Sequence, residues 1–500
     1  MKRSKLFLTN AIILTLTALF IRIISIYFNV YLTNKVGTSG LGLFQLISSV
    51  YILAITIASS GISTATTRLV VEEFALNRIS GVKKALKRCF SYSIIFGLLA
   101  AALLFLGAPY IGEYWLCDIR TIKSLKVLAI GLPVIAMSNV FYGYFTAVRR
   151  VTKNSIAHIS EKLIEIIVIV YLLEFLMPSG IENACVAIVL GEVLAELCSF
   201  FIYLIIYLKD RKRYLYSNNN KTDLTKRMLK ISLPIAGSAY LRNGLTSANQ
   251  FLIPSGLRRY GLSSDEALSQ YGMVHAMVFP VIYLPQTLLY AFAGLLIPEL
   301  TEYHETNNVK NINRILNRVF KTTLLFAAGV VGSLICFSDV IGTMIYGEPQ
   351  VTNFVNILAP LTILMYLDCV VDCVLTGLNQ QVNSMCYNLI ESIINTILIF
   401  VLIPIYGITG YLFLLFIGKS VNMTLSIIRL IKVTDFKFRF GSWLLVPVLN
   451  SLLTCYIIKL ILRMTEPTTI WAIILFIAFI FLYLYFLKLT RCISKKIFLH

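Results

Sequence analysis

The feature that most constrains this chain is its series of long apolar runs. A membrane-spanning helix needs about 20 largely apolar residues, and the sequence holds fourteen such runs. They lie near 8–32, 41–61, 89–111, 125–147, 157–177, 184–208, 229–253, 270–297, 320–340, 353–377, 384–404, 407–430, 442–463 and 469–489. We therefore predict an all-α polytopic membrane protein with no water-soluble enzyme domain between its spans.

The distribution of basic residues predicts the orientation. The chain is 58% hydrophobic, only 14% charged, and carries a net charge of +20. Of its 44 Lys and Arg residues, 32 fall on one alternate set of connecting segments and 8 on the other. Because cytoplasmic segments are enriched in Lys and Arg, both termini are expected to be cytoplasmic. The basic charge is then a consequence of topology, and no nucleic-acid partner is predicted.

The first apolar run resembles a signal peptide, but Arg22 interrupts it and no small-residue cleavage site follows. We predict a retained first span. The ten cysteines are scattered singly, mostly within spans, and are expected to be buried free thiols rather than a disulfide framework.

The two halves of the sequence resemble each other. Three residues of the first half have counterparts 227 positions later, namely Pro133 with Pro360, Gly180 with Gly407, and Gly191 with Gly418. Two parallel six-helix repeats around a central cleft are typical of transporters. The predicted divisions are an amino-terminal lobe 1–208, a cytoplasmic linker 209–228, a carboxy-terminal lobe 229–432, helices 13 and 14 within 433–490, and a cytoplasmic tail 491–500.

Two arginines are placed near the middle of the helices that open the two lobes. They are Arg22 and Arg242. A charged side chain near the middle of a membrane span is energetically unfavourable, so it usually has a functional or structural partner. A guanidinium binds phosphate groups bidentately. These residues predict a cavity for an anionic substrate, with Asn29, Asn243 and Lys419 as further lining. The alternative is that each arginine forms an interhelical salt bridge.

Acidic residues also fall within the predicted spans. Those singled out for ion or proton coupling are Glu161, Glu165, Glu192, Glu196, Asp368 and Asp372. The first four form two i, i+4 pairs, each on one face of its helix. Clustered carboxylates in a low dielectric can carry a proton or hold Na⁺. The alternative is structural neutralisation by Lys162 and the arginines.

No cofactor, metal site or catalytic set is predicted. Asp368, Cys369, Asp372 and Cys373 have ligand-type side chains, but no histidine lies nearby and the four divide between two stripes of a helix. The four histidines form no set with a nucleophile. The chain is therefore not expected to be an enzyme.

Four stretches resemble a known family. They are YGYFTAVRRVTKNSIAHISEKLIEII (142–167), CVLTGLNQQVNSMCYNLIESIINTILIFVLIPIYGITG (373–410), FIRIISIYFNVYLTNKVGTSGLGLFQLISSVY (20–51) and PVIYLPQTLLYAFAGLLIPELTE (280–302). Together they make the chain similar to the stage V sporulation protein B and polysaccharide-transporter family. That family lies within the superfamily of lipid-linked oligosaccharide flippases and multidrug and toxic compound extrusion transporters.

The resemblance implies a two-lobed flippase with a V-shaped central cleft, which moves a polyprenyl-pyrophosphate-linked saccharide outward by alternating access. It implies a peptidoglycan precursor for the spore cortex as substrate, with membrane lipids, a coupling ion (H⁺ or Na⁺) and cell-wall synthesis enzymes as partners. The location would be the bacterial cytoplasmic membrane, around the forespore. Arg22 matches the first cavity arginine of lipid II flippases, whereas Phe28 replaces their second arginine and 41–61 lacks further ones. These departures favour the sporulation branch.

Two other functions compete with this one. A cation-coupled multidrug exporter is the main alternative, although mid-membrane arginines would repel its cationic substrates. A scaffold that recruits wall-synthesis enzymes without transport is the third, and the lack of soluble domains argues against it.

Overall fold

The computed structural model describes residues 2–75, 79–211, 224–306, 308–434, 436, 441–464 and 469–492. Over these ranges the secondary structure is helical, without a β-strand, so the predicted all-α membrane fold is confirmed. The helices are α1 (Lys2–Ser59), α2 (Ile62–Ala75), α3 (Ile79–Tyr110), α4 (Thr121–Ala147), α5 (Val151–Leu176), α6 (Ile181–Arg211), α7 (Leu224–Arg259), α8 (Ser264–Gly272), α9 (Phe279–Glu305), α10 (Val309–Cys336), α11 (Pro349–Leu358), α12 (Leu361–Gly377), α13 (Gln381–Val433), α14 (Val446–Met464) and α15 (Thr469–Leu489).

Twelve of the fourteen predicted spans coincide, within a few residues, with a single helix or with one arm of a bent helix. The eighth span runs from the end of α8 into α9. The first two spans form the arms of α1, which bends at Gly37 (φ 76°, ψ 173°). Spans eleven and twelve form the arms of α13, which bends at Gly407 (φ 59°, ψ −139°). Glycine adopts positive φ without a steric penalty. The tenth span comprises α11 and α12, which meet at 53° next to Pro360.

Length and apolarity alone identify the helices that hold twelve of the fourteen predicted spans. Within the described ranges, nine helices are long and apolar enough to cross a membrane, or ten if the bent pair α11–α12 is one span. Neither α5 nor α7 is among them. The middle of α5 carries Glu161, Lys162 and Glu165, and α7 carries Arg242 and Asn243 at mid-length. Both helices that fail thus carry predicted functional residues.

The short helix α2 has no counterpart among the predicted spans, and only the last three residues of α8 fall within one. α2 carries Glu72 and Glu73 in its last turns. The Arg227 guanidinium of α7 pairs with both carboxylates and lies 3.3 Å from Glu73 Oε1. This contact fixes the start of α7 against α2.

The chain divides into two compact units. The first contains Met1–Ile24 and Lys35–Gly272, and the second contains Ser25–Asn34 and Met273–His500. This boundary differs from the predicted lobe boundary at 209–228, because α7 and α8 belong to the first unit. Residues 212–223 of the predicted linker lie outside the described residues. The division into lobes by sequence repeat, and the cleft between them, stay predictions.

Local structures recur in the two units in the order that the repeat predicts. A π-helical turn, Ile111–Trp115, follows α3, and a second one, Val340–Ile345, follows α10. After the first, the Asp118 amide donates to the Gly112 carbonyl at 2.8 Å. After the second, the Glu348 amide donates to Gly342 at the same distance.

The predicted pair Gly180 and Gly407 also recurs as a structural pair. Gly180 (φ 106°) joins α5 to α6, and Gly407 joins the two arms of α13. Both glycines have positive φ and connect two successive antiparallel spans. These local likenesses support the repeat, while the axis relating the two copies stays a prediction.

The last two helices pack against α10 through small residues. Gly332 of α10 faces Ser451 of α14 so closely that an added Cβ would lie 2.0 Å from its Oγ. The Ser451 hydroxyl donates to the Ala328 carbonyl at 2.6 Å. The Tyr483 hydroxyl of α15 donates to the Leu325 carbonyl at 2.7 Å. Small residues and buried hydrogen bonds are the usual means of helix association in lipid.

Candidate functional sites

Four acidic residues of α5 and α6 form the amino-terminal acid cluster: Glu161, Glu165, Glu192 and Glu196. Their spacing places each pair on one face of its helix. The two helices approach closely because Gly191 of α6 packs against Ile169 of α5. A Cβ at Gly191 would lie 2.3 Å from Ile169 Cγ1. A side chain at this position would separate the helices that carry the acids.

Some contacts of this cluster are made within one helix, and others join two helices. Lys162 Nζ donates to Glu165 Oε1 at 2.5 Å, between neighbours on one helix. Glu165 is therefore neutralised by Lys162, as the structural alternative to ion coupling predicts. Glu161 differs, because its Oε2 accepts from the Ser199 hydroxyl at 2.9 Å and lies 3.7 Å from His158 Nδ1.

A cavity of about 180 Å³ opens beside this cluster within the first unit. Glu161 and Glu196 both line it, together with His158 and polar residues of α4 and α6. Among them are Ser138 and Tyr203, which are only 8% and 2% exposed. Within the described part of the chain, neither hydroxyl has a hydrogen-bond partner.

Buried polar groups that lack protein partners usually bind water or another small polar species. The cavity therefore offers two carboxylates and two unsatisfied hydroxyls to a proton, a hydrated cation or water. The acids are predictable from the sequence, whereas Ser138 and Tyr203 are not. The sequence does not show which neighbouring helix a neutral polar side chain contacts.

The second group of charges, the carboxy-terminal polar cluster, comprises Asp368, Asp372, Glu391, Lys419 and Asn422. The first two lie on α12, Glu391 lies on the first arm of α13, and the last two lie on its second arm. The arms approach at Gly418, where an added Cβ would lie 2.1 Å from Asn395 Oδ1.

Lys419 is the centre of this second cluster. Its Nζ donates to Asp368 Oδ2 and to Glu391 Oε2, both at 2.9 Å. Asn422 Nδ2 lies 3.1 Å from Asp368 Oδ1 and 2.7 Å from Glu391 Oε2. One ammonium and one amide thus connect α12 to both arms of α13.

Asp372 joins the same network from the next turn of α12. Its two carboxylate oxygens accept from the Ser384 hydroxyl and, at 3.3 Å, from Asn388 Nδ2. Asn388 Oδ1 in turn accepts from Asn422 Nδ2 at 3.0 Å. The carboxylates of this cluster therefore have polar partners on a different helical segment.

The residues predicted to bind substrate divide between the units. Arg22 and Arg242 both belong to the first unit, where Arg22 is half-buried and Arg242 exposed. Within the described residues, no carboxylate lies within 4.0 Å of the Arg242 guanidinium, so the salt-bridge alternative finds no support there. Asn243 Nδ2 donates to Thr56 Oγ1 at 2.7 Å.

Asn29 and Lys419 belong to the second unit. Asn29 Nδ2 donates to the Ala276 carbonyl at 3.0 Å, and the Lys419 ammonium is held by carboxylates. Their roles as substrate ligands stay predictions, and both side chains already have protein partners.

The fold is that of membrane transporters. Over 96% of this chain and 99% of the other, it superposes on a lipid II flippase MurJ in an inward closed conformation, with a TM-score of 0.74 and 16% identity. It also matches a multidrug resistance MATE family transporter of the MOP superfamily in an inward-facing conformation. That match has a TM-score of 0.60 and 13% identity, over 89% of this chain and 96% of the other.

The sequence assigns the chain more narrowly. Residues 7–304 match the model of the polysaccharide biosynthesis protein family, so the chain belongs to that family. It is 26% identical over 411 residues to stage V sporulation protein B of Bacillus subtilis (strain 168), covering 81% of this chain and 79% of that protein. It is 24% identical over 400 residues to the lipid II flippase MurJ of the same strain, covering 75% and 73%.

Proposed function

We propose that the chain is a flippase that moves a lipid-linked anionic saccharide outward across the bacterial cytoplasmic membrane by alternating access. The observation that carries this proposal is Arg242, whose exposed guanidinium has no carboxylate partner among the described residues. A cation at mid-membrane depth costs roughly 2.5–3.5 kcal/mol on insertion scales. An anionic ligand that binds there would offset this cost.

The chemistry of arginine favours a phosphate-bearing ligand. The planar guanidinium binds two phosphate oxygens at once, which gives geometric specificity as well as affinity. Arg22 lies in the same compact unit and would supply a second such group. The Asn243 amide beside Arg242 is held by Thr56 and would add a neutral contact. A pyrophosphate carries enough acceptor oxygens for both arginines.

The family and its relatives favour a saccharide carried on a lipid. The family is one of polysaccharide biosynthesis proteins, and two relatives are named as a sporulation protein and a lipid II flippase. We infer that the substrate is a polyprenyl-pyrophosphate-linked peptidoglycan precursor for the spore cortex. Both termini would be cytoplasmic, and the protein would act in the membrane around the forespore, beside cell-wall synthesis enzymes.

The energy source that we propose is a proton or cation bound in the cavity beside α5 and α6. Glu161 and Glu196 line that cavity together, and two neighbouring carboxylates repel each other unless a positive charge is shared between them. Uptake on one side of the membrane and release on the other would alter the packing of α4, α5 and α6. Transport would then be coupled to the gradient of that ion.

A cation-coupled multidrug exporter is the second candidate. The observation that favours it is the structural likeness to a multidrug resistance transporter of the MATE family. Because the two sequences are only 13% identical, this likeness concerns the fold alone. Two arginines in one substrate cavity would repel an organic cation, so the two candidates differ in the charge of the substrate that they can bind.

Replacing either arginine tests the proposal. We expect Arg22→Ala and Arg242→Ala each to slow the appearance of lipid II in the outer leaflet about tenfold to a hundredfold. The physical reason is the loss of a charge-assisted contact that contributes about 1.5–3 kcal/mol. Arg242→Lys should recover only part of the rate, because lysine cannot bind two oxygens in one plane.

The matched control is Arg259→Ala, which removes an exposed arginine from the end of the same helix. It should transport at the normal rate. Membrane expression and thermal stability are measured for all variants. Normal transport by the Arg22→Ala/Arg242→Ala double variant would overturn the proposal, and ion-dependent efflux of an organic cation from vesicles would favour the exporter instead.

A further inference from the structure

The carboxy-terminal polar cluster contains its own cation. Asp368 and Glu391 are 10% and 11% exposed in their side chains, and they belong to different helical segments. Two carboxylates so far from water need a positive partner, because a buried unpaired charge is strongly destabilising. The Lys419 ammonium, itself only 23% exposed, lies 2.9 Å from an oxygen of each.

The arrangement around Lys419 Nζ resembles the shell of a monovalent cation. Carboxylate oxygens approach from α12 and from the first arm of α13, while the Asn422 amide bridges the same two carboxylates. The amide offers an oxygen as well as a nitrogen, and a rotation of its plane would turn the oxygen toward a bound ion. The ammonium reaches this position at the end of a flexible stem anchored on the second arm.

The corresponding position of the first unit carries the opposite charge. The repeat aligns Lys419 with Glu192, since each directly follows the matched glycine, Gly418 or Gly191. At this position of the repeat, the second unit therefore has the ammonium group of a lysine, whereas the first unit has a carboxylate.

We propose that the Lys419 ammonium permanently fills a monovalent-cation site formed by Asp368, Glu391 and Asn422. The site is closed to dissolved cations while the lysine is present. Its removal opens the site to Na⁺. Because Lys419 supplies the positive charge, the second unit needs no dissolved cation at this site. Lys419 is also a positioning residue for α12 and both arms of α13.

The test measures thermal unfolding of the purified full chain at constant ionic strength, with NaCl replacing choline chloride. Every protein in this test, the reference included, carries Glu196→Gln, so that sodium bound in the amino-terminal cavity does not contribute. The reference, with Lys419 intact, should show no sodium-specific change in Tm. Lys419→Met retains most of the aliphatic stem but lacks the charge. Its Tm should be lower than that of the reference in choline and should rise by about 3 °C or more in high sodium, because a ligand bound only by the folded state stabilises it.

Two further variants separate a cation site from ordinary packing. Lys419→Arg keeps a cation and should show no sodium response. Lys419→Met/Glu391→Gln removes one negative charge as well, so its sodium response should be reduced or lost. A general loss of packing would affect Tm equally in both salts.

Three results would overturn the proposal. The first is a folded Lys419→Met protein with the same Tm in sodium and in choline. The second is a reference protein, with Lys419 intact and Glu196→Gln, that is itself stabilised specifically by sodium. The third is a Lys419→Met protein that is unfolded even in high sodium, since the dissolved ion would then fail to replace the ammonium.

Discussion

The acid cluster of α5 and α6 and the polar cluster of α12 and α13 occupy related places in the two halves of the chain, yet their charges are arranged differently. In the second, Lys419 and Asn422 link carboxylates of different helical segments. In the first, Lys162 pairs with Glu165 of its own helix. Glu161 and Glu196 are left facing a cavity.

This difference separates two uses of intramembrane charge. A network that pairs buried charges across helices holds those helices together, and removing one member leaves the others unpaired. A carboxylate pair beside a cavity can instead gain and lose a positive charge, because that charge comes from the cavity and not from another helix. We therefore expect stability to depend on the carboxy-terminal cluster and transport kinetics to depend on the amino-terminal one.

The largest effect on stability is expected from Asp368→Ala. It removes one carboxylate from Lys419 and one acceptor from Asn422, and breaking a buried pair from one side costs about 3–5 kcal/mol. Thermal unfolding in detergent should show a large fall in Tm. A stability close to that of the wild type would show that the network does not hold α12 to α13.

A smaller effect on stability, but a large one on transport, is expected from Glu196→Gln. The amide is nearly isosteric with the carboxylate, so Tm should change little. Transport should fall about tenfold or more because the cavity loses one of its two carboxylates and, with it, affinity for a proton or cation. The control is Glu174→Gln, which alters an exposed residue of α5 and should leave the rate unchanged.

The rate of Glu196→Gln should also lose its dependence on the driving ion gradient. Transport is therefore measured with and without an imposed pH or sodium gradient. If Glu196→Gln and the wild type respond equally to both gradients, the coupling role of the cavity is wrong.

The smallest effect is expected from Lys162→Ala. Lys162 and Glu165 are neighbours on one helix, so losing their contact breaks no link between two helices. Both Tm and transport should stay close to wild-type values. A loss of Tm as large as that of Asp368→Ala would remove the distinction between the two clusters.

Much of the fold could be predicted from the sequence because lipid imposes simple rules on a spanning segment. Fourteen apolar runs of sufficient length predicted the spans, and twelve of them coincide with a single helix or helix arm. The repeat predicted Gly180 and Gly407 as equivalent residues, and each connects two successive spans. α2 was missed because it is short and carries Arg68, Glu72 and Glu73, which were read as part of a cytoplasmic loop.

The sites were only partly predictable. The acids were found because charge within an apolar run is conspicuous, but their partners were not. Ser199 and Asn422 are neutral residues whose positions along the sequence do not show which distant carboxylate they contact. The pairing of Lys419 with Asp368 joins residues far apart in the sequence, and only the packing of α12 on α13 defines it.

The central claim is that this chain moves a lipid-linked, pyrophosphate-bearing precursor across the membrane. The most direct measurement is the amount of lipid II that reaches the outer leaflet, with and without the protein, at controlled membrane potential. We predict accumulation that requires the protein and is lost in the Arg22→Ala/Arg242→Ala variant. Equal amounts of outer-leaflet lipid II with and without the protein would contradict the account.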